Sequence, residues 1–425
     1  MLLLPTDIYI AGGVATVALT VLLLALLPPR AVHSAFRPIF RLPHLPAWGT
    51  KPFRIASIAL LLSLVAAGIA GSTDPLANPL PLGVWVVWWI GFVALQGALT
   101  DLWRFTAPWL YVPRRASLRL PRRLGHAPAC IGFLALSGFI LADPAPADPR
   151  RLATLLAVYL AATALAVALF GRRWLLQCEP ISVLMRVFRR IAPFARMGKR
   201  IGFGLWGWRT AIAAAPPFEL AVFMVLILGS GSYDGLNETF WWLNLLGVNP
   251  LEYPGRSALV IPTLTGLVAA NAALLAVFTL CLYTGLTLAR TSGLRDAFCR
   301  FAPALLPIAL GYHIAHYLTA FLVDAQWALK TASDPFATGA NLFGTADTYV
   351  TTGFFNTQAS VRAIWLTQAG AVVIGHVVSI LLSHALALRH FATPRQALLS
   401  QIPLAFFMAA YTLFGLWLLA SPRGA

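Results

Sequence analysis

The chain has 425 residues, of which 59% are hydrophobic and only 11% are charged. A water-soluble protein keeps about a quarter of its residues charged, so this composition excludes a soluble protein and predicts one that is solvated by lipid. The formal net charge is +17, with 31 Lys and Arg residues against 14 Asp and Glu residues.

Ten apolar segments are long enough to be considered as membrane spans, because a spanning helix needs about 20 residues to cross roughly 30 Å of hydrocarbon. The fourth is short, and the seventh contains Pro262, where we expect a kink or a tilt. The sequence therefore predicts an all-α fold, a polytopic integral membrane helix bundle of about ten transmembrane helices in a single membrane domain, 1–425. In chain order the predicted spans are 8–27, 53–70, 83–103, 128–142, 152–170, 217–233, 258–288, 299–323, 362–388 and 400–420.

The positive charge is concentrated on one side of this predicted bundle. Of the 31 Lys and Arg residues, 25 lie in or beside alternate loops, beginning with 28–52, whereas ten of the 14 acidic residues lie on the other side. Cytoplasmic loops retain Lys and Arg, so the pattern predicts a cytoplasmic basic side with both termini outside. Since this sorting accounts for the net charge, no nucleic acid partner is expected.

Two loops differ from the short connections. The basic loop 171–216 places Ile181, Leu184 and Phe188 at helical spacing among arginines, which predicts an amphipathic helix on the cytoplasmic leaflet, attracted to anionic lipid. The loop 324–361 is long, acidic and extracytoplasmic, and loops of that length in a compact protein are often functional.

Three histidines inside the last spans are candidate metal ligands. His313 and His316 share a helix face because they are three residues apart, and His376 lies on the next helix, which runs antiparallel. Three neutral imidazoles with an open fourth position are typical of a catalytic, zinc-like divalent site, in which the metal lowers the pKa of bound water. Haem b ligation by two histidines, proton transfer and hydrogen bonding between helices remain alternatives.

Polar groups near the extracytoplasmic ends of the helices complete the predicted site. Asp234 follows the sixth helix in GSGSYDG, and Asp324 returns to nearly the azimuth of His313 eleven residues later, so both are candidate catalytic groups. Turn formation and helix capping explain such residues equally well. The candidate substrate-binding groups are Asp334, Asn341, Asp347 and Gln368.

Several of these motifs resemble the bacterial polytopic membrane proteins called fenitrothion hydrolase. The shared runs are GYHIAHYL at 311–318, SDPFATGANLFGTAD at 333–347, GHV at 375–377 and GSGSYDG at 229–235, with a similar layout from LPTDIYIAGG and RPIFRLP onward. The resemblance implies hydrolysis of an organophosphorus triester in the bacterial cytoplasmic (inner) membrane, with a possible second membrane subunit. It places His313, His316, His376, Asp234, Asp334 and Asp347 at motif positions. Ala385 after His384 departs from the pattern and puts a role for His384 in doubt.

The sequence therefore favours a metal-dependent membrane hydrolase with an unknown natural substrate. Two other classes of protein remain open at this point. A permease or metal-ion transporter would use the same histidines to line a pathway, and a haem-binding or scaffold subunit would use them inside a larger membrane complex.

Overall fold

The structure, a computed structural model, describes residues 5–43, 49–109, 112–113, 116–198, 200–249, 251–252 and 255–422. The extreme ends, 1–4 and 423–425, which the sequence predicts to be extracytoplasmic, lie outside the described residues.

Long apolar helices make up most of the fold. Among the described residues, nine are long and apolar enough to cross a membrane, and Ala127–Ala142 is an apolar helix of 16 residues. They confirm the predicted all-α membrane bundle of about ten spans. The ten are α1 (Thr6–Leu26), α2 (Thr50–Ala70), α3 (Pro79–Ala98), α4 (Ala127–Ala142), α5 (Pro149–Phe170), α6 (Phe218–Asn237), α7 (Arg256–Leu288), α8 (Leu294–Ser333), α9 (Gln358–His390) and α10 (Pro394–Ala420).

Local sequence signals fix where several spans begin. Asp148 accepts a hydrogen bond from the third residue of α5, and Thr357 and Thr393 accept equivalent bonds at the starts of α9 and α10. Side-chain oxygens at this position satisfy backbone N–H groups that have no partner within the helix. Proline follows the cap at α5 and α10, where its missing N–H costs nothing.

Two spans contain irregular turns. Most of α3 is a π-helix, Leu82–Phe92, set between the turn Pro79–Pro81 and the α-helical Val93–Ala98. In α8 a 3₁₀ turn, Ala302–Leu305, separates Leu294–Phe301 from Leu306–Ser333, and α7 opens with the 3₁₀ turn Arg256–Leu259.

A small sheet and several short helices join the spans. The sheet pairs β3 (Arg200–Phe203) antiparallel with both β1 (Phe40–Pro43) and β2 (Phe194–Met197), and so connects two basic loops that are far apart in sequence. The sequence reasoning did not anticipate this sheet. The short helices and 3₁₀ turns are Pro29–Ala35, Trp103–Thr106, Arg122–Leu124, Arg172–Gln177, Pro180–Phe188, Trp208–Ile212, Phe240–Leu245 and Gly353–Phe355.

The helix predicted within the basic loop 171–216 forms, but it lies elsewhere than expected. Residues Pro180–Phe188 are helical, and Glu179 caps them by accepting from Ile181 N at 2.8 Å and Ser182 N at 2.7 Å. Its apolar side chains are buried against the spans, with Leu184 1% exposed and Phe188 2% exposed. The apolar face of the helix therefore packs against the bundle and not into lipid.

Two spans continue past their predicted ends in ways that affect the site. Helix α6 continues to Asn237, beyond the predicted end at 233, so Asp234 is helical. Helix α8 continues to Ser333, so Asp324 also lies in a helix, and the loop predicted to begin at 324 begins at Asp334.

Helices α8 and α9 lie very close together because glycines face the partner backbone. A Cβ atom on Gly311 would lie 2.4 Å from Ala371 O, and one on Gly375 would lie 2.6 Å from Pro307 O. Only glycine permits this approach without displacing backbone, so these two positions fix the placement of α8. We call the end of the bundle that carries Asp74, Glu238 and Asp334 the acidic end, and the opposite end the basic end.

Candidate functional site

Three potential metal ligands meet where α6 approaches α8 near the acidic end. Asp234, Glu238 and His316 each offer one ligand atom within 4.8 Å of those of the other two, and we call them the ligand group. Within this group, His316 Nε2 and Asp234 Oδ2 are 3.3 Å apart. Across the described ranges of the chain, this is the one such group of three.

The local structure of α6 explains how the two carboxylates come together. Asp234 and Glu238 are four residues apart, and residues at this spacing are neighbours on a helix surface. Asp234 lies in the last helical turn and is 8% exposed, whereas Glu238 occupies the C-cap position and is exposed. The group therefore has one carboxylate inside the protein and one at its surface.

Tyr317 reinforces the buried half of the ligand group. Its hydroxyl donates a hydrogen bond to Asp234 Oδ2, the same oxygen that lies near His316. Its ring packs edge-on against His316, with ring centroids 4.6 Å apart, and against His313 at 5.1 Å. Tyr317 thereby orients a carboxylate and limits the rotation of two imidazoles.

His313 lies beside the ligand group without belonging to it. Its Nε2 lies 3.0 Å from Trp89 O and 3.3 Å from Ile90 O, both in the π-helical part of α3. A carbonyl oxygen only accepts, so Nε2 carries the proton, and Nδ1 is the acceptor atom of the neutral ring. π-Helical turns are rare and occur frequently at functional sites.

His376 occupies a separate, fully buried position. It is 0% exposed, its Nδ1 donates to Val372 O at 2.9 Å, and its ring lies 6.3 Å from that of Tyr312 and 6.4 Å from that of Tyr411. Its Nε2 has no hydrogen-bond partner within the described part of the chain. The structure thus does not assemble the predicted set of His313, His316 and His376, because only His316 joins the ligand group.

Of the two predicted catalytic residues, Asp234 belongs to the ligand group, whereas Asp324 and the predicted substrate-binding residues do not. Asp324 is two turns beyond His316 on α8, about 12 Å further along the helix axis at 1.5 Å per residue, and it is not in the ligand group. Gln368 donates to Ala315 O at 2.7 Å and so ties α9 to α8 from a buried position.

The acidic residues of the loop after α8 stabilise the loop itself. Asp334 accepts from Thr338 N at 2.8 Å and from Gly339 N at 2.7 Å, and these bonds lower the pKa of its carboxyl group. Asn341 accepts from Ala346 N at 3.1 Å, and Asp347 is exposed. None of these three belongs to the ligand group.

A cavity of about 50 Å³ extends from the ligand group toward the basic end. A water needs about 10–15 Å³ of such space, so the cavity holds a few small molecules. Apart from the phenol of Tyr312, its polar wall residues are Ser137, Ser230, Asp234, His313, His316 and Tyr317.

Models of known protein families, curated proteins and solved structures gave no match to this chain. The geometry of the site is therefore what supports a functional conclusion.

Sequence reasoning missed two residues of this arrangement, Glu238 and Tyr317. The signal for Glu238 was its spacing of four residues from Asp234, which has structural meaning only if α6 continues past 233. The signal for Tyr317 was its spacing of four residues from His313, which places the two side chains on one face of the helix.

Proposed function

We propose that this multi-pass membrane protein is a metal-dependent hydrolase, in which Asp234, Glu238 and His316 hold a divalent metal ion. What supports the proposal most is the convergence of three donors within 4.8 Å of one another. The separation of 3.3 Å between His316 Nε2 and Asp234 Oδ2 is close to the edge of a tetrahedron with bonds of about 2.1 Å, which is about 3.4 Å. Two carboxylates and an imidazole suit zinc or another first-row divalent ion.

Such an ion would supply Lewis acidity and lower the pKa of a coordinated water. The chain's own groups supply orientation and proton transfer. Tyr317 holds the Asp234 carboxylate, while His313 is fixed with its Nε2–H toward the carbonyl of Trp89. His313 lines the cavity and can accept a proton at Nδ1, which makes it the candidate general base.

The resemblance to fenitrothion hydrolase makes a phosphotriester the first substrate class to test. A pocket that encloses a whole drug-sized molecule measures roughly 300–1,000 Å³, whereas this cavity measures about 50 Å³. Only part of such an ester would enter it, with the remainder outside the cavity.

The lipid bilayer is a partner of the spans, and we extend the proposal to anionic lipid at the basic end. Burial, together with the neighbouring Arg189, Arg190 and Arg172, lowers the pKa of Arg186 to about 10. Arg189 has an ion-pair partner in Asp101 at 2.7 Å. Mutual repulsion among these guanidinium groups favours a bound anion. A second membrane subunit remains an expectation from the resemblance alone.

The other two functional classes receive less support from this site. A carrier needs polar groups that continue toward the basic end, but the cavity is closed there by Val93, Leu184 and Phe188. A haem needs a pocket on the order of several hundred Å³. In addition, His313 and His376 each make a backbone hydrogen bond at a different place, and they do not face a common haem pocket.

Metal content and hydrolysis of the purified protein test the proposal together. We expect about one zinc, manganese or cobalt ion per chain after dialysis, with release of 4-nitrophenolate from a 4-nitrophenyl phosphotriester. His316→Ala and Glu238→Gln should lower the metal content, whereas His376→Ala and the loop variant Asp334→Asn should retain it.

Each alternative gives a different result in the same experiment. Equal loss in His376→Ala and His316→Ala would favour the three-histidine site, and absence of metal from the wild type would reject both sites. Metal uptake into sealed vesicles without any hydrolysis would favour a transporter.

A further inference from the structure

The cavity beside the ligand group has two chemically different ends. At one end lie Asp234 and His316, which belong to the ligand group, together with Tyr317. At the other end the wall is formed by apolar side chains, including buried Phe133 and Phe188. A bound molecule matches both ends if it has an oxygen-bearing head at the ligand group and an apolar tail among the apolar side chains. The reverse orientation would bury the polar head among apolar side chains, which is costly, whereas burial of the apolar tail there is favourable.

Gly231 creates the room at the apolar end. It is exposed although its neighbours in α6 are buried, with Ser230 4% and Ser232 5% exposed. Four cavity-lining residues of α6, Ile227, Ser230, Gly231 and Asp234, follow the spacing of one helix face, so the exposed side of Gly231 faces the cavity. A Cβ atom built on Gly231 meets nothing within 4 Å.

Gly231 lies a short distance along α6 from the ligand group. It precedes Asp234 by three residues, which is about 4.5 Å along the helix at 1.5 Å per residue. A tail that extends from a head group at Asp234 therefore passes Gly231 after only a few carbon atoms. A side chain at this position would occupy the space of the tail and point away from Asp234, because helical side chains lean toward the helix N-terminus.

We infer that this cavity binds the short alkyl tail of the substrate, and that Gly231 determines the tail length that is accepted. The inference rests on the proposed metal centre, which would hold the oxygen-bearing head of the same molecule. The substrate class is thus a small ester or acid with a tail of about two to four carbon atoms, since a volume of about 50 Å³ holds only a few small groups.

Straight-chain carboxylates test this inference on the protein reconstituted in lipid nanodiscs and loaded with Co²⁺. The carboxylate can coordinate the ion, and the visible absorption of Co²⁺ reports binding of acetate, propionate, butyrate and hexanoate. In the wild type we expect affinity to rise about fourfold for each methylene buried, up to butyrate, and to rise no further with hexanoate.

Substitutions at Gly231 should reduce the tail length up to which the affinity rises. Gly231→Leu should bind acetate within about twofold of the wild type but lose the gain for butyrate, about 16-fold for two methylenes. Gly231→Ala should lose about fourfold for butyrate, and Ala favours helix more than Gly, so this variant tests the inference even if Leu disturbs packing. Gly370→Leu is the matched control, since Gly370 is also helical with nothing within 4 Å of its Cβ position and does not line the cavity.

Two results would overturn the inference while leaving the metal centre intact. One is a flat affinity across the series in Co²⁺-loaded wild type. The other is an equal gain from acetate to butyrate in wild type and Gly231→Leu.

A metal-independent measurement separates failure of the metal centre from failure of the cavity. If the wild type gave no Co²⁺ spectrum, the proposed function would be rejected. A short carboxylic acid that carries an alkyl diazirine would then decide the question by photolabelling. Labelling of the Phe133–Leu141 stretch that is reduced in Gly231→Leu and unchanged in Gly370→Leu would support the tail site, and equal labelling of all three proteins would reject it.

Discussion

Replacing Glu238 by Gln should have opposite effects on stability with and without metal. Without metal, the carboxylates of Asp234 and Glu238 repel one another across at most 4.8 Å. Coulomb's law gives about 1 kcal/mol for this distance in water and about 3 kcal/mol at an effective dielectric constant of 20. Because Glu238 is exposed and salt screens its charge, we expect the metal-free variant to gain about 1 kcal/mol in free energy of unfolding.

With metal bound as we propose, the same substitution removes a charged ligand. Loss of a residue that merely supports a ligand costs about 10–100-fold in metal affinity, so loss of Glu238 itself should cost at least about 100-fold. A metal at 100 times its dissociation constant stabilises the folded state by about 2.7 kcal/mol. The Glu238→Gln variant should lose most of this stabilisation. The variant should therefore be more stable than wild type in chelator and less stable in excess metal.

Unfolding of the purified protein in chelator and in excess Zn²⁺ or Mn²⁺ measures both effects. Glu252→Gln is the matched control, because Glu252 is another exposed acid outside the ligand group, and it should change neither state. Equal effects of Glu238→Gln in the two conditions, or a loss of stability in chelator, would refute the electrostatic reasoning. Raising the salt concentration should shrink the gain in chelator.

Three further changes test the surroundings of the site. Gly311→Ala should destabilise the protein by about 1–3 kcal/mol, since its Cβ would lie 2.4 Å from Ala371 O. Gly370→Ala, a helical position with open space around it, should instead stabilise the protein by up to about 1 kcal/mol in the same unfolding assay. Gln368→Leu should remove the 2.7 Å hydrogen bond between α9 and α8 and lower the free energy of unfolding by about 0.6–2 kcal/mol in the same assay. An unchanged free energy of unfolding would mean that this bond makes no net contribution to stability. The pKa of Asp334 is lowered, so its ionised form stabilises the loop fully above the usual carboxyl pKa, and this stabilisation is lost as pH falls through the lowered value. Limited proteolysis should therefore cut the wild-type loop faster at acid pH. The Asp334→Asn variant should be cut faster than wild type at pH 7 and should show little of this pH dependence.

The spans were predictable because lipid imposes a strong and local requirement. Every backbone group in a bilayer needs an internal partner, so each apolar stretch of about 20 residues forms a helix regardless of its neighbours. The sheet was not predictable in the same way, since Phe40 pairs with Phe203 only after the spans have brought two distant loops together.

The site was only partly predictable, for reasons of helix length and direction. Asp234 and His316 were identified from their residue types, but a predicted end at 233 placed Glu238 in a loop and concealed its spacing from Asp234. Helical periodicity places His313 and His316 on one side of α8, although they differ by about 60° in azimuth at 3.6 residues per turn. Their neighbours decide the rest, because His313 reaches a carbonyl of α3 and His316 reaches a carboxylate of α6.

Helix α4 is too short for a membrane of ordinary thickness, and it forms one wall of the cavity. Its 16 residues measure about 24 Å against a hydrocarbon core of about 30 Å. Arg256 Nη2 donates to two of its last carbonyls, at 2.6 Å to Ile140 O and 2.9 Å to Leu141 O, and so partners acceptors that a helix end leaves unpaired. We expect the adjoining bilayer to thin by about 6 Å, at a cost of a fraction of a kcal/mol per Å. Such thinning would bring headgroups and water closer to the end of α4 that lines the cavity, and lipids with shorter acyl chains should relieve the mismatch. Membrane thickness should therefore influence access to this site.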